Sequence, residues 1–551
     1  MEQARILIAI ALSFLVFLLW EVFFVDKEPV QHPRQEMASQ QEPIEAPEPL
    51  TKGSIIQEGK PAFTDGADEP GQPSRTIVID TPLYMVKVSE TGAVFESFVL
   101  KKYRETIDPD SSFLEMVDQN PTIGTVRLDF EKNSVADLNA AKFVASVAQN
   151  NLKVINEPIR IAFRNSSIYG LTVEKSFTFS PDTYMIDLNI TIKNGSDKTF
   201  RDNLVLSLLK ALPKDRARYG FVGPSALINN HLEKIKIKKI KDKNIFTGKL
   251  DWIAFQDRYF ISSIIPKNSV DASLRLLTNE TNFLESQYIQ PADSLPPGTQ
   301  QVYQYQLYFG PKSTPILKSF NRGLDKAVDF GMFTFIAKPC VWLMNVLYGG
   351  IPNYGIAIII LTTLIKIILW PLGSKSYKSM NEMKKIQPLM TEIREKYKND
   401  KKKMNEEVMG LYKTYKVNPM GGCLPMLVQI PVFFALYRML YEAIELRHAP
   451  FFGWINDLSA PDRLFRFDFS IPFMQEPYGI PVLTIIMGAT MFLQQKMSPP
   501  MGDPAQAKMM MLMPVIFTFI FINFSSGLVL YWLVNNVLSI SQQYYIQKKH
   551  A

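Results

Sequence analysis

Lys366 stands inside an apolar run, 351–372, that carries no other charge. On insertion scales a lysine near the middle of a spanning helix costs about 2.5 to 3.5 kcal/mol, so the residue calls for compensation. Thr362 lies one turn away on the same helical face, and Gln429, Thr518, Asn523, Asn535, Asn536 and Ser539 bring amides and hydroxyls to other apolar runs. Such a set suits a cation held in a hydrated cleft within a bilayer. The competing account is snorkelling: Lys366 is roughly six residues from the end of its run, about 9 Å of helix, which a lysine stem nearly covers. Arg438, near the end of another run with Glu442 one turn on, reads as a snorkelling ion pair and is given no function.

Other chemistries lack their residues. There is no Gly-x-x-x-x-Gly-Lys-[Ser/Thr] phosphate loop, no Gly-x-Ser-x-Gly with a fitting histidine and no His-Glu-x-x-His, so neither an enzyme nor a cofactor is expected. His32, His231, His448 and His550 lack metal-ligand spacing. Cys340 and Cys423 fall near opposite faces of the expected membrane region and should not pair. The net charge of +7 comes without a nucleic-acid motif, and the lysines cluster beside apolar runs, so no direct nucleic-acid partner is expected.

A chain of 551 residues needs at least two domains, and its apolar residues crowd into the N-terminus and the last two hundred positions. The run 6–25 is long enough to span, and ends in Trp20, Glu21, Phe23 and Phe24 with no small-residue cleavage site, so it reads as an uncleaved anchor. Residues 26–74, rich in Pro, Glu, Gln and Gly, read as a flexible tether. From 75 to 325 the texture is period-two: Tyr84, Val86 and Val88 oppose Met85 and Lys87, and Ile186, Leu188, Ile190 and Ile192 oppose Asp187, Asn189, Thr191 and Lys193. Asn194-Gly195 reads as a hairpin turn, and the whole as an antiparallel β-sandwich.

Residues 326–349, with Phe330, Phe333, Trp342 and Tyr348 among Lys326, Asp329 and Lys338, read as an amphipathic helix in the membrane interface; the rival is a last packed helix of the β domain. Apolar runs follow at 351–372, 423–441, 480–497, 509–524 and 527–546, the last two joined as a hairpin at Ser525-Ser526-Gly527. With 6–25 they make six crossings. Lys375, Lys378, Lys384, Lys385, Arg394, Lys396, Lys398, Lys401, Lys402, Lys403, Lys413 and Lys416 put the 373–421 loop in the cytosol, the β domain outside and both termini inside. Met383, Ile386, Met390, Ile393 and Tyr397, then Met404, Val408, Leu411 and Tyr415 after Asn399-Asp400, predict an antiparallel helical hairpin there. A structural loop and a mobile arm that meets ribosome or nascent chain are both open.

Several motifs carry a resemblance over nearly the whole chain. They are Gln387-Pro388, Val417-Asn418-Pro419 with Gly421-Gly422-Cys423, Gln429-Ile430-Pro431, Glu445-Leu446-Arg447, Asp457-Leu458-Ser459, Gln495-Lys496-Met497-Ser498-Pro499, Met513-Pro514-Val515-Ile516-Phe517 and Ser526-Gly527-Leu528-Val529-Leu530-Tyr531. In these the chain resembles the YidC/Oxa/Albino family of membrane protein insertases, of the Gram-negative type with a large periplasmic domain. The resemblance implies a multi-domain inner-membrane protein with six transmembrane α-helices, five forming the core, plus a periplasmic all-β sandwich. It implies a groove open to cytosol and lipid, with Lys366 where relatives commonly carry Arg and with Thr362, Gln429 and Asn535 beside it. Client contacts are implied at Ile430, Pro431, Phe433, Ile520, Tyr531 and Trp532, and a role for the hairpin at Pro388, Lys401, Lys402 and Lys403. Implied partners are nascent membrane proteins, the Sec translocon, the ribosome and the lipid bilayer. Two rivals remain: a small-solute channel or transporter, which the sequence does not favour because it shows no inverted repeat, and a carbohydrate enzyme in the β domain, where His231 is the lone histidine.

Overall fold

A strand buried on one face needs alternation, and Met185–Asn194 realises it: Ile186, Leu188, Ile190 and Ile192 are buried while Asp187, Asn189 and Thr191 are half-buried. The computed structural model describes residues 74–118, 124–135, 138–168, 170–212, 221–278, 283–292, 294–417, 424–498 and 504–550. The expected anchor at 6–25 and almost all of the expected tether lie outside the described residues, as do Cys423 and the Asn418-Pro419 and Gly421-Gly422 motifs.

Two sheets form the β domain. One has five strands, antiparallel except where Thr76–Asp80 runs parallel to Asn151–Lys153. The other has thirteen, with Met185–Asn194 between Leu171–Phe179 and Gln300–Pro311. Leu188 stands opposite Phe177 on one neighbour and Tyr305 on the other, so an apolar row crosses three strands. Phe95 and Phe98 of the smaller sheet meet Phe177 and Phe309 of the larger, with ring centroids 5.2 and 5.0 Å apart, and close the sandwich. Each such ring contributes about 1.5 to 3 kcal/mol on burial.

The expected hairpin at Asn194-Gly195 does not form. The strand after it, Leu204–Ala211, pairs with Phe283–Gln290 and Arg127–Phe130 instead. The Asn194 amide donates to Lys198 O at 2.7 Å and Leu295 O at 2.8 Å, and its Oδ1 accepts from Ser196 N. A buried side chain thus takes over the satisfaction that a tight turn would supply, and the chain crosses to other strands.

After a short helix, α1 (Thr314–Ser319), residues 324–333 contain two single turns rather than a continuous helix, with Leu324, Ala327 and Phe330 buried. The helix proper, α2, is Thr334–Gly350. The next, α3, is Tyr354–Ile368; the chain bends by 65° and continues as α4, Trp370–Lys396, so the basic hairpin starts earlier than the lysine pattern suggests. Asp400 caps α5 (Lys401–Thr414) by accepting from Lys403 N at 3.0 Å. Met383, Ile386 and Met390 pack against Val408, Leu411, Tyr412 and Val417. Tyr415, expected in that seam, is exposed: α5 has ended, and the positive φ of Lys416 turns Val417 inward in its place.

The last helices are α6 (Leu424–Glu442), α7 (Val482–Met497), α8 (Pro504–Phe521) and α9 (Ser526–His550). The final two apolar runs are therefore separate helices. Helix α9 packs on α3, α4, α6 and α7. Gly488 lets α7 approach α8, because a Cβ there would sit 2.1 Å from Thr518 Oγ1. Among the described residues, Gly331–Gly350 is long and apolar enough to cross a bilayer alone, and α3 with α4 only as a bent pair.

Candidate functional site

Lys366 lies in the last turn of α3 and is 6 % exposed. Its Nζ donates to Ser539 Oγ on α9 at 2.7 Å, and that hydroxyl donates to Asn535 O one turn back. The Tyr377 hydroxyl of α4 hydrogen-bonds Ser539 and Gln494. The Gln542 amide donates to Trp370 O at 3.0 Å and Ser374 Oγ at 3.3 Å, while the Asn536 amide donates to Thr490 Oγ1 at 3.2 Å. Positions 535–536, 539 and 542 recur at three to four residues, so α9 presents one polar stripe to α3, α4 and α7. Gly373 admits it: a Cβ there would lie 2.9 Å from the Gln542 amide.

An ammonium has three donors, and among the described residues Lys366 places one of them, on Ser539, with no carboxylate in an ion pair. Thr362 is buried beside it, but its hydroxyl donates to Ile358 O within its own helix at 2.6 Å. Gln429 is half-buried on α6, which packs on α2, α4 and α9, and no described hydrogen bond joins it to Lys366. Asn535 is half-buried on the Ser539 face of α9. The structure thus brings Lys366, Thr362 and the Asn535–Ser539 stripe together, with Gln429 on α6 joined to Lys366 by no described hydrogen bond.

Toward the β-domain end the bundle is aromatic. Trp532 of α9 meets Phe433 of α6 at 4.7 Å and Phe521 of α8 at 5.0 Å, and Phe524 meets Tyr437 at 5.9 Å. Pro431 interrupts the α6 hydrogen-bond ladder, and with Ile430 it is half-buried. Ile520 is 46 % exposed on the outside of α8, whereas Tyr531 is enclosed at 8 %. Of the expected client contacts, Phe433 and Trp532 touch, Ile520 faces outward and Tyr531 faces in.

On the hairpin, Pro388 is exposed within α4, and Lys401, Lys402 and Lys403 open α5. Cations at a helix N-terminus oppose the macrodipole at a cost of about 0.3 to 1 kcal/mol each. That cluster is therefore not there for helix stability.

A polar junction that sequence reading missed ties the β domain to α6. Glu442, expected to pair with Arg438, faces Lys312 instead at 3.7 Å, both buried. Arg258 donates to Tyr441 O at 2.6 Å and lies 3.7 Å from the Tyr441 ring centroid. Arg447 donates to Arg104 O at 2.5 Å. Glu445 bonds Asn345 and Ser313, and burial pushes its carboxyl above the ordinary range. These partners are too far apart in the chain for any local pattern to show.

A profile of the 60Kd inner membrane protein family matches residues 346–551, and one of the YidC periplasmic domain matches 76–343. The membrane protein insertase YidC of Syntrophus aciditrophicus is 42% identical over 556 residues, covering 99% of both chains. That of Syntrophobacter fumaroxidans is 42% identical over 562 residues and covers both completely. A crystal structure of an active YidC insertase with its first transmembrane domain resolved is 19% identical, with a TM-score of 0.38, covering 86% of this chain and 93% of that one.

Proposed function

This chain belongs to the family of YidC membrane protein insertases, and from that premise we propose that its polar seam at Lys366 is where incoming polypeptide meets the protein on its way into the inner membrane. The observation that carries the reading is the ammonium with two donor positions open and no carboxylate partner among the described residues. A polar or acidic client segment moving through hydrocarbon leaves groups unsatisfied at several kcal/mol each. A cation held by Ser539 at the hairpin end offers such a segment a partner part-way across. The aromatic packing of Phe433, Trp532, Phe521 and Phe524 supports a groove that stops short of the far side, which disfavours a channel.

Short helices assist. Helix α3 has 15 residues and α7 has 16, about 22 and 24 Å at 1.5 Å per residue, against a hydrocarbon core of about 30 Å. Such mismatch favours local thinning, which shortens the polar path further. The exposed rows on α7 and α8, Ile485, Ile486, Val515, Ile516, Phe519 and Ile520, suit lipid and a client span sliding past it.

In this reading five crossings follow the β domain and one precedes it, both termini and the α4–α5 hairpin are cytosolic, and the β domain is periplasmic. Helix α2, though long enough to cross, is taken as interfacial: Asn345 bonds Glu445 just past the end of α6, and Tyr348 stacks 3.9 Å from Tyr354, the first residue of α3. Both contacts belong to the β-domain side. Nascent membrane proteins are the clients, with the ribosome near the lysines of α5 and the Sec translocon as a partner for longer ones. The chemistry is partition rather than bond-making, so no catalytic residue is assigned. The test compares Lys366→Arg with Lys366→Leu in proteoliposomes given a client with an acidic extracytoplasmic tail. Arg retaining insertion and Leu losing it is expected; equal activity for Leu removes Lys366 from the route.

A further inference from the structure

The segment between α6 and α7 carries a hairpin, Leu464–Phe467 paired with Tyr478–Ile480, on which three phenylalanines are turned out while Phe467 and Tyr478 are half-buried. Phe465 is 70 % exposed, Phe469 63 % and Phe473 86 %. Phe465 and Phe473 also hold positive φ, 50° and 65°, a region in which a bulky side chain is strained. Backbone at positive φ at two positions points rings away from the protein, and among the described residues neither Phe465 nor Phe473 packs its ring into the core.

The base of the hairpin is fastened. Asp462 accepts from Leu483 N at 2.7 Å and from the Thr484 hydroxyl at 3.1 Å, at the start of α7. Arg463 donates to Pro477 O and to Ile522 O, both at 2.9 Å, joining the hairpin to the end of α8. Asn523 completes the clamp: its amide donates to Phe473 O at 2.8 Å and its Oδ1 accepts from Gln475 N at 2.8 Å. Phe473 is thus held three to four residues beyond Phe519 and Ile520, the exposed apolar face of α8.

We infer that this hairpin is an anchor in the outer leaflet, its phenylalanines resting at the headgroup–acyl boundary of phospholipid and fixing the depth of α7 and α8. Continuity selects the occupant. The exposed face of α8 runs into the clamp without a polar break, and the clamp sets the rings beside it. Arg466 and Asp468, exposed between the rings, are too polar for the hydrocarbon centre and suit the headgroup layer, where aromatic side chains also concentrate. Stacked rings of Phe467 and Phe469, 5.2 Å apart, make the tip a rigid plate, so little side-chain entropy is lost on binding.

The inference rests on reading α7 and α8 as membrane crossings, and the experiment separates the two. Single cysteines replace Phe473, Phe469, Phe519 and Val302 in turn, on a Cys340→Ala, Cys423→Ala full-length chain, and carry a nitroxide. The chain is reconstituted alone, at low density, in vesicles of phosphatidylethanolamine and phosphatidylglycerol. Relaxation by oxygen is compared with relaxation by a water-soluble nickel chelate. The expected result is lipid-like relaxation at Phe519, water-like at Val302 on the β domain, and boundary values at Phe473 and Phe469, oxygen relaxation rising several-fold over Val302. Water-like behaviour at Phe473 and Phe469 with Phe519 still in lipid overturns the anchor and leaves a protein partner as occupant. Water-like behaviour at Phe519 overturns the crossings themselves.

Discussion

In the β domain the Lys175 ammonium, fully buried, places its three donors on the carbonyls of Gly92, Ala93 and Val126, whereas in the helical region Lys366, among the described residues, places one donor on a hydroxyl. The same side chain is buried in both and used differently. All three carbonyls around Lys175 come from residues at positive φ, 69°, 47° and 63°, unusual for alanine and a genuine departure for β-branched Val126. The cation there holds together a strained corner of the sandwich. Lys366 sits in the last turn of α3, just before the 65° bend, and its described partner is a side chain, Ser539, rather than a backbone carbonyl. Saturation suits a structural cation, and the client-facing role proposed for Lys366 needs donors left open.

The largest expected effect that tests this contrast is Lys175→Met. It leaves three buried carbonyls without their partner and should cost about 2 to 3 kcal/mol, read as a lower denaturant midpoint of the β-domain transition in the full chain, with insertion little changed below that midpoint. An unchanged midpoint would mean that the corner does not need its cation. Lys366→Leu should do the reverse: insertion of an acidic-tailed client falls about tenfold, equivalent to about 1.4 kcal/mol, while the thermal midpoint holds or rises because a partly satisfied buried charge has gone.

pH sharpens the comparison. Burial pushes the Lys175 ammonium down to about 7 from 10.5 in the exposed chain, with Asp129 opposing. Above the lower value the unfolded chain holds a proton that the folded chain has released, so β-domain stability should rise as pH climbs from about 7 toward 10.5 and be level below about 7, where both states hold the proton. The difference between the wild type and Lys175→Met isolates this slope from Lys312, whose ammonium burial also lowers. Parallel curves would show that the three carbonyls keep Lys175 charged throughout. The smallest effect is expected for Ser539→Ala. If the hydroxyl only parks the cation, insertion changes by no more than about fivefold, since one hydrogen bond is worth about 1 kcal/mol net. A loss as large as that of Lys366→Leu would make Ser539 the residue that positions Lys366.

Period-two alternation found the strand Met185–Asn194 because the period follows from the pleat alone, whatever the neighbouring strand. The same local reading failed at Asn194-Gly195, where partners at Lys198 and Leu295 replaced the turn, and at Tyr415, where the helix ended one residue before it. Lys366, Thr362, Asn535 and Ser539 stood out as polar groups in apolar runs, a contrast that needs no coordinates. Tyr377, Gln494 and Gln542 did not, because they sit near or beyond the ends of the apolar runs, where polar residues are ordinary.

Composition and periodicity by themselves determined a sandwich, a set of apolar helices, a basic hairpin and a lone cation in an apolar run, since each is a property of residues close in the chain. Only the tertiary structure decided that Glu442 faces Lys312 rather than Arg438, that Lys366 reaches across to Ser539, and that Lys175 is sealed while Lys366 is not. Hydrogen-bond satisfaction depends on which elements meet, and no local pattern records the meeting of residues 366 and 539.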